Sequence, residues 1–246
     1  MSFYVVGTRP NSVFVSGSDV YVVGTVSVGQ DWRATLWVNG VPETLSGTRS
    51  SASSVFVSGS DVYVVGQAGS SQDSRAMLWV NGVPQMLSNT TSRANSVFVS
   101  GSDVYVVGFV GWANRRATLW VNGVPHTLSN TSSEAASVFV SGSDVYVAGF
   151  HGNRATLWVN GVPQTLNIPQ TIRRIDASDA ASVFVSGGDV YVLGVVEELV
   201  GCCELERVML WVNGVPQVLS GSESSASVRS VFVSNGNVFV VGNIRE

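Results

Sequence analysis

The chain has 246 residues, 45% of them hydrophobic and only 12% charged, with a net charge of -4. That length suits one large domain, and the acidic balance, with arginines never in runs longer than a pair, argues against nucleic acid as a partner. No apolar run approaches the ~18 residues of a membrane span, and the opening MSFYVVGTRP has neither a basic nor a long apolar leader region, so the expectation is a cytoplasmic protein with no membrane contact.

In chain order, residues 3–6 form a first short strand-like run. Residues 13–15 form the next, which ends at the turn formers Ser16-Gly17-Ser18-Asp19 before residues 20–23 resume strand character; this is a hairpin. Residues 34–38 stop at Asn39-Gly40, the pair that best tolerates the positive φ of a two-residue type I′ turn, and residues 41–45 complete a second hairpin. Pro42 cannot donate a ladder hydrogen bond, which places its strand at the sheet edge. The unit then repeats, its opening Ser falling at Ser12, Ser54, Ser96, Ser137, Ser182 and Ser230.

Four strands recurring every 40 to 50 residues or so mark the blade of a β-propeller, so the expected fold is all-β, a single propeller domain over residues 1–246. Twenty-three strands can be counted, one short of six four-stranded blades. Six blades are therefore favoured over five, the last being built from both termini with residues 3–6 beside the C-terminal hairpin. The strand still missing there leaves an edge that could pair with a second copy of the chain as a homodimer.

Alternating strand direction puts the SGSD and NGVP turns at one end of every sheet. The opposite end receives the segments in which the copies differ: TVSVGQDWR, QAGSSQDSR, FVGWANRR, FHGNR and VVEELVGCCELER. These are expected to be loops, and a binding function is expected among them.

Units reading SVFVSGSDVYVVG, then Arg, then ATLWVNG resemble the repeats of NHL-type propellers, and still more closely bacterial tandem propeller repeats of similar wording. The inner strand, the Asp that opens the second strand (Asp19, Asp61, Asp103, Asp144, Asp189) and an Arg four residues before the third-strand aromatic all have counterparts there. The departure is Gly24, Gly66, Gly108, Gly149 and Gly194, where an NHL repeat usually has an acidic residue, so the salt bridge of that residue is not carried over. The resemblance implies the fold, with RNA or protein binding as the commonest task and metal-dependent lyase activity as a rarer one.

Arg33, Arg75, Arg116, Arg154 and Arg207 each precede by four residues Trp37, Trp79, Trp120, Trp158 and Trp211. The arginines are either equivalent ligand contacts or local ties for their own segments, and the tryptophans are blade packing. Trp32, Phe109, Trp112, Phe150 and His151 occur in single repeats where the frame does not demand them. Trp32, Phe109, Trp112 and His151, with the five arginines, are the candidate ligand contacts. Cys202 and Cys203 are adjacent, too close for a disulfide between blades, and are expected to be free thiols in an exposed loop. With two scattered histidines and no nucleophile elbow or phosphate loop, the expectation is a protein that is not an enzyme and takes no metal or cofactor. Its acidic segment, Glu197, Glu198, Glu204 and Glu206, is expected to be a solvated insertion. The expected partner is a protein or peptide on the variable face, with a multivalent lectin that binds glycans as the alternative.

Overall fold

The computed structural model describes residues 7–70, 72–172, 175–200, 203–221 and 225–245. Regular structure among them is entirely β-strand. The chain divides into two compact units, Met1–Thr127 and Leu128–Glu246.

The first unit holds three four-stranded sheets: β1 (Thr8–Ser16) to β4 (Val41–Thr44) through β2 (Asp19–Val28) and β3 (Asp31–Val38); β5 (Ser50–Ser58), β6 (Asp61–Gly69), β7 (Ser74–Val80) and β8 (Val83–Met86); then β9 (Ser92–Ser100), β10 (Asp103–Val110), β11 (Arg116–Val121) and β12 (Val124–Thr127). The second unit holds two more: β13 (Ser133–Ser141), β14 (Asp144–His151), β15 (Arg154–Val159) and β16 (Val162–Thr165), then β17 (Ile175–Ser186), β18 (Asp189–Val200), β19 (Cys203–Val212) and β20 (Val215–Val218). It closes with a two-stranded sheet, β21 (Ser225–Ser234) and β22 (Asn237–Arg245). In every sheet the spatial order is the chain order. The described residues thus make five complete blades and two strands of a sixth, and the run at residues 3–6 lies outside them.

The turn chemistry explains why each blade has the same frame. Asn39, Asn81, Asn122, Asn160 and Asn213 all adopt φ of 51 or 52°, as a type I′ turn requires. Each also reaches back to the first hairpin: Asn122 Nδ2 donates to Asp103 Oδ1 at 2.8 Å, and Asn122 Oδ1 accepts from the Val104 N–H at 2.9 Å. The same pair of bonds recurs at Asn39 with Asp19 and Asn160 with Asp144, so the SGSD and NG turns do share one end of the sheet. The Asp that opens the second strand is a turn lock. The outer strands β4, β8, β12 and β16 are exposed throughout, as Pro at their second position anticipates.

Packing between blades uses residues repeated in the sequence. In the first unit Phe14, Phe56 and Phe98 stand side by side with ring centroids 4.8 and 4.9 Å apart; in the second, Phe139, Phe184 and Phe232 do so at 4.9 and 5.1 Å. The opening Ser of each repeat is a tie to the next blade: Ser54 Oγ accepts the Val97 N–H, and Ser182 Oγ accepts the Val231 N–H. Trp120, fully buried, donates its indole N–H to the Leu87 carbonyl of the preceding blade at 3.0 Å.

The Gly that departs from the NHL pattern has a geometric cause. One residue before the opening Ser, the first strand carries an extra residue, seen as a register break at Asn11, Ser53, Asn95, Ala136 and Ala181. The bulge swings a carbonyl across the second strand, and a Cβ on Gly66 would lie 1.9 Å from the Ser51 oxygen. No side chain, acidic or otherwise, fits there.

Candidate functional site

The segments in which the repeats differ are mostly strand. Residues 25–33 form the end of β2 and the start of β3, with only Gly29 and Gln30 between them, and residues 195–200 and 203–207 extend the paired strands β18 and β19. Extension of the ladder was not legible because Ser, Gln and Glu interrupt the Val pattern there. Trp32 is therefore a strand residue, paired with Ser27.

The candidate residues fall into different surroundings. Phe109 is only 6% exposed and belongs to the packing of its blade, with Arg115 over its ring at 4.6 Å. Trp112 is 58% exposed between β10 and β11. His151 ends β14 and shares a hydrogen bond with Thr131 Oγ1 at 2.8 Å. The five arginines hold equivalent strand positions but differ in role. Arg75 pairs with Asp73 of its own hairpin, and Arg207 Nε donates to Glu198 Oε2 at 2.7 Å. Arg33 buries Nε with no hydrogen bond among the described residues. Arg154 is exposed, and exposed Arg116 borders a cavity of about 460 Å³ with Asn89, Thr90 and Thr127. The acidic segment is not a solvated insertion: Glu198 is 5% exposed on a strand. Cys203 is exposed at the start of β19 and in no disulfide among the described residues, and Cys202 lies outside them.

Two crevices open between blades at the variable end. In the first unit, Arg9 pairs with Thr25 across β1 and β2, and Trp32 follows on the same face of the sheet. That face packs on the second blade lower down, through Val23, Ala34 and Leu36 against Ala52 and Val55. Where the apolar contact ends, a cavity of about 320 Å³ remains, bordered by Arg9, Trp32, Arg49, Ser51, Gln67 and Ser70. The Arg9 guanidinium lies over the Trp32 ring, 4.6 Å from its centroid. Arg9 and Arg49 were not legible as site residues because Arg9 recurs only once, as Arg93, and Arg49 not at all.

In the second unit a cavity of about 390 Å³ is bordered by Phe150, Asn153, Asp179, Glu197, Glu206 and Ser227. Asp179 pairs with Val195 and Glu197 with Ala177, so the two carboxyl groups are diagonal neighbours on one sheet face, a placement that separates Cβ atoms by roughly 7–8 Å or less. Glu206 stands opposite Glu197 and accepts the Ala226 N–H. Asp179 keeps an exposed edge at the mouth, but the crevice walls strip much of its hydration, and Glu134 and Glu197 add like charge; its pKa is pushed up to about 6. Desolvation and then Glu206 raise that of Glu197. Among the described residues no group of His, Cys, Asp and Glu is arranged to hold a metal.

No protein-family model and no curated protein sequence matches the chain, so its likeness to NHL repeats rests on the wording of the repeats alone. Solved structures do match. A puromycin-hydrolysing peptidase from Mycobacterium tuberculosis superposes with a TM-score of 0.55 at 15% identity, over 87% of this chain and 38% of the peptidase. A thermostable family-43 glycoside hydrolase matches over 98% of this chain and 94% of its own, with a TM-score of 0.47 and 13% identity. A Bombyx mori GH32 β-fructofuranosidase matches over 80% and 61%, with a TM-score of 0.39 and 11% identity. The chain thus spans well under two thirds of the peptidase.

The expectation that the chain is not an enzyme is corrected: a solved structure that shares its fold is a peptidase, so the fold gives no ground for excluding catalysis. The sequence reading looked for contiguous motifs, whereas the carboxyl groups of Asp179 and Glu197 meet only through the β17–β18 register. At such low identity the likeness carries no reaction over to this chain. It gives the fold, and with five four-stranded antiparallel sheets in chain order this chain is a β-propeller.

Proposed function

We propose that the chain recognises a polypeptide at the variable ends of its blades. One observation carries this reading, the division of labour among the aromatic residues. Trp79, Trp120, Trp158 and Trp211 recur from blade to blade and are at most 1% exposed. Trp32 and Trp112, which reach a crevice or the surface, each come from a single repeat. A lectin with one equivalent site per blade needs an accessible ring in every copy, whereas one extended ligand is gripped by rings that differ along its length. Arginine forks and serine hydroxyls beside them suit peptide carbonyls and carboxylates.

The test is selection of peptides from a random display library on the intact chain, followed by substitution of Trp32, Trp112 and His151 with Ala. Binding should fall by about tenfold or more, at a melting temperature little changed, since surface substitutions usually move stability by less than about 0.5 kcal/mol. Enrichment of no peptide alongside a clear response on a glycan array would overturn the reading.

The Asp179 and Glu197 pair supports a second reading, hydrolysis with one carboxyl group as proton donor and the other activating water. Asp179 holds its proton below about pH 6 and loses it above. A reaction that needs this donor therefore declines as pH rises through about 6, and one that needs Glu197 ionised declines again on the acid side. Hydrolysis of a panel of nitrophenyl glycosides and fluorogenic peptides should follow that bell and should lose its alkaline limb in Asp179→Asn. A pH profile unmoved by the substitution would exclude the pair.

A further inference from the structure

The first-unit crevice carries a more specific ligand preference, which rests on the polypeptide reading above. Two cationic side chains border it, and neither Arg9 nor Arg49 has an ion pair among the described residues. Arg75 and Arg207, by contrast, are neutralised by Asp73 and Glu198. Two arginines without a counterion on one crevice make it locally cationic in a chain with net charge -4. Cation–π attraction to Trp32 holds the Arg9 guanidinium at the crevice, and a planar fork so held is preorganised for a planar oxyanion. Around it, Ser51 and Gln67 form a cross-strand pair, with Ser70 near by, and offer hydroxyl and amide groups that can bond peptide N–H and C=O.

We infer that this crevice is a carboxylate pocket, in which Arg9, held flat by Trp32, and Arg49 together clamp one carboxylate of a bound peptide. Its volume of about 320 Å³ lies at the small end of the roughly 300–1,000 Å³ typical of ligand pockets, so it takes a side chain or a chain terminus rather than a long segment. The carboxylate can come from Asp or Glu or from a free C-terminus. Both present the same planar pair of oxygens, and a bidentate, charge-assisted contact is the strongest that an arginine makes.

The experiment is calorimetric titration of the full chain with end-blocked triglutamate, end-blocked triglutamine, triglycine with a free C-terminus, trigalacturonate and inorganic phosphate. Triglutamate, or triglycine if the source is the terminus, should bind at least about tenfold more tightly than triglutamine, and salt should weaken it. Arg9→Gln or Arg49→Gln should each remove that advantage, while Trp32→Phe, which keeps a stacking face, should retain most of it. The salt response of the unaltered chain gives a readout should a variant fold poorly. Equal, salt-independent binding of triglutamate and triglutamine would overturn the carboxylate pocket while leaving polypeptide recognition standing. Trigalacturonate or phosphate binding as tightly as either carboxylate peptide, with the same arginine dependence, would overturn the polypeptide reading with it. Failure of every probe would overturn the pocket.

Discussion

Gly66→Ala should destabilise the first unit by about 2–4 kcal/mol, whereas Gly59→Ala, seven positions earlier in the same blade, should cost only about 1 kcal/mol. The two glycines are there for different reasons. Gly59 has a φ of +61° in the SGSD turn with open space around its Cβ position, so alanine meets only the ordinary penalty of a left-handed backbone. Gly66 lies in the buried run of β6, and its new Cβ would fall 1.9 Å from the Ser51 oxygen and 3.0 Å from the Ala52 Cα. Backbone atoms on the neighbouring strand cannot step aside as a flexible side chain can, so the bulge itself must shift. That bulge sets the register by which Ser54 Oγ reaches the Val97 N–H of the third blade, and the strain is passed on to the packing between blades. Urea denaturation midpoints for the two variants measure the difference. Equal losses would mean that the bulge relaxes freely and that close approach is not what selects the glycine.

The frame was legible from the sequence because each of its parts is fixed by local chemistry that the repeats copy. Asn39-Gly40 and its equivalents specify their turns by φ alone, Pro42 marks an edge, and the Val runs mark strands covered on both faces. The candidate sites were less legible because they arise from register. Arg9 meets Trp32 only because β1 pairs with β2 so that Arg9 stands beside Thr25, and Asp179 meets Glu197 only through β17 and β18. Neither pairing leaves a periodic trace. The Phe109 position shows the converse: an aromatic expected at a binding surface turns out to fill its own blade, since an aromatic that most repeats lack can serve packing as readily as a ligand.

Arg207→Gln is expected to cost about 1.5–3 kcal/mol, the loss that follows when a charge-assisted hydrogen bond to a buried carboxylate is removed. Glu198 is only 5% exposed and lies diagonally across β18 and β19 from Arg207, on the face that also carries Val196, Met209 and Trp211 into the core of the second unit. Glutamine cannot replace the charge of the guanidinium, so the buried carboxylate loses part of what offsets its desolvation. That loss draws on the folding free energy at neutral pH. Replacing both residues together, Glu198→Gln with Arg207→Met, should restore much of the loss, because a neutral amide and a thioether leave no buried charge to compensate. Thermal denaturation of the two singles and the double closes the cycle. If Arg207→Gln were no worse than a surface change of about 0.5 kcal/mol, the Arg207 guanidinium would not be what offsets the burial of Glu198.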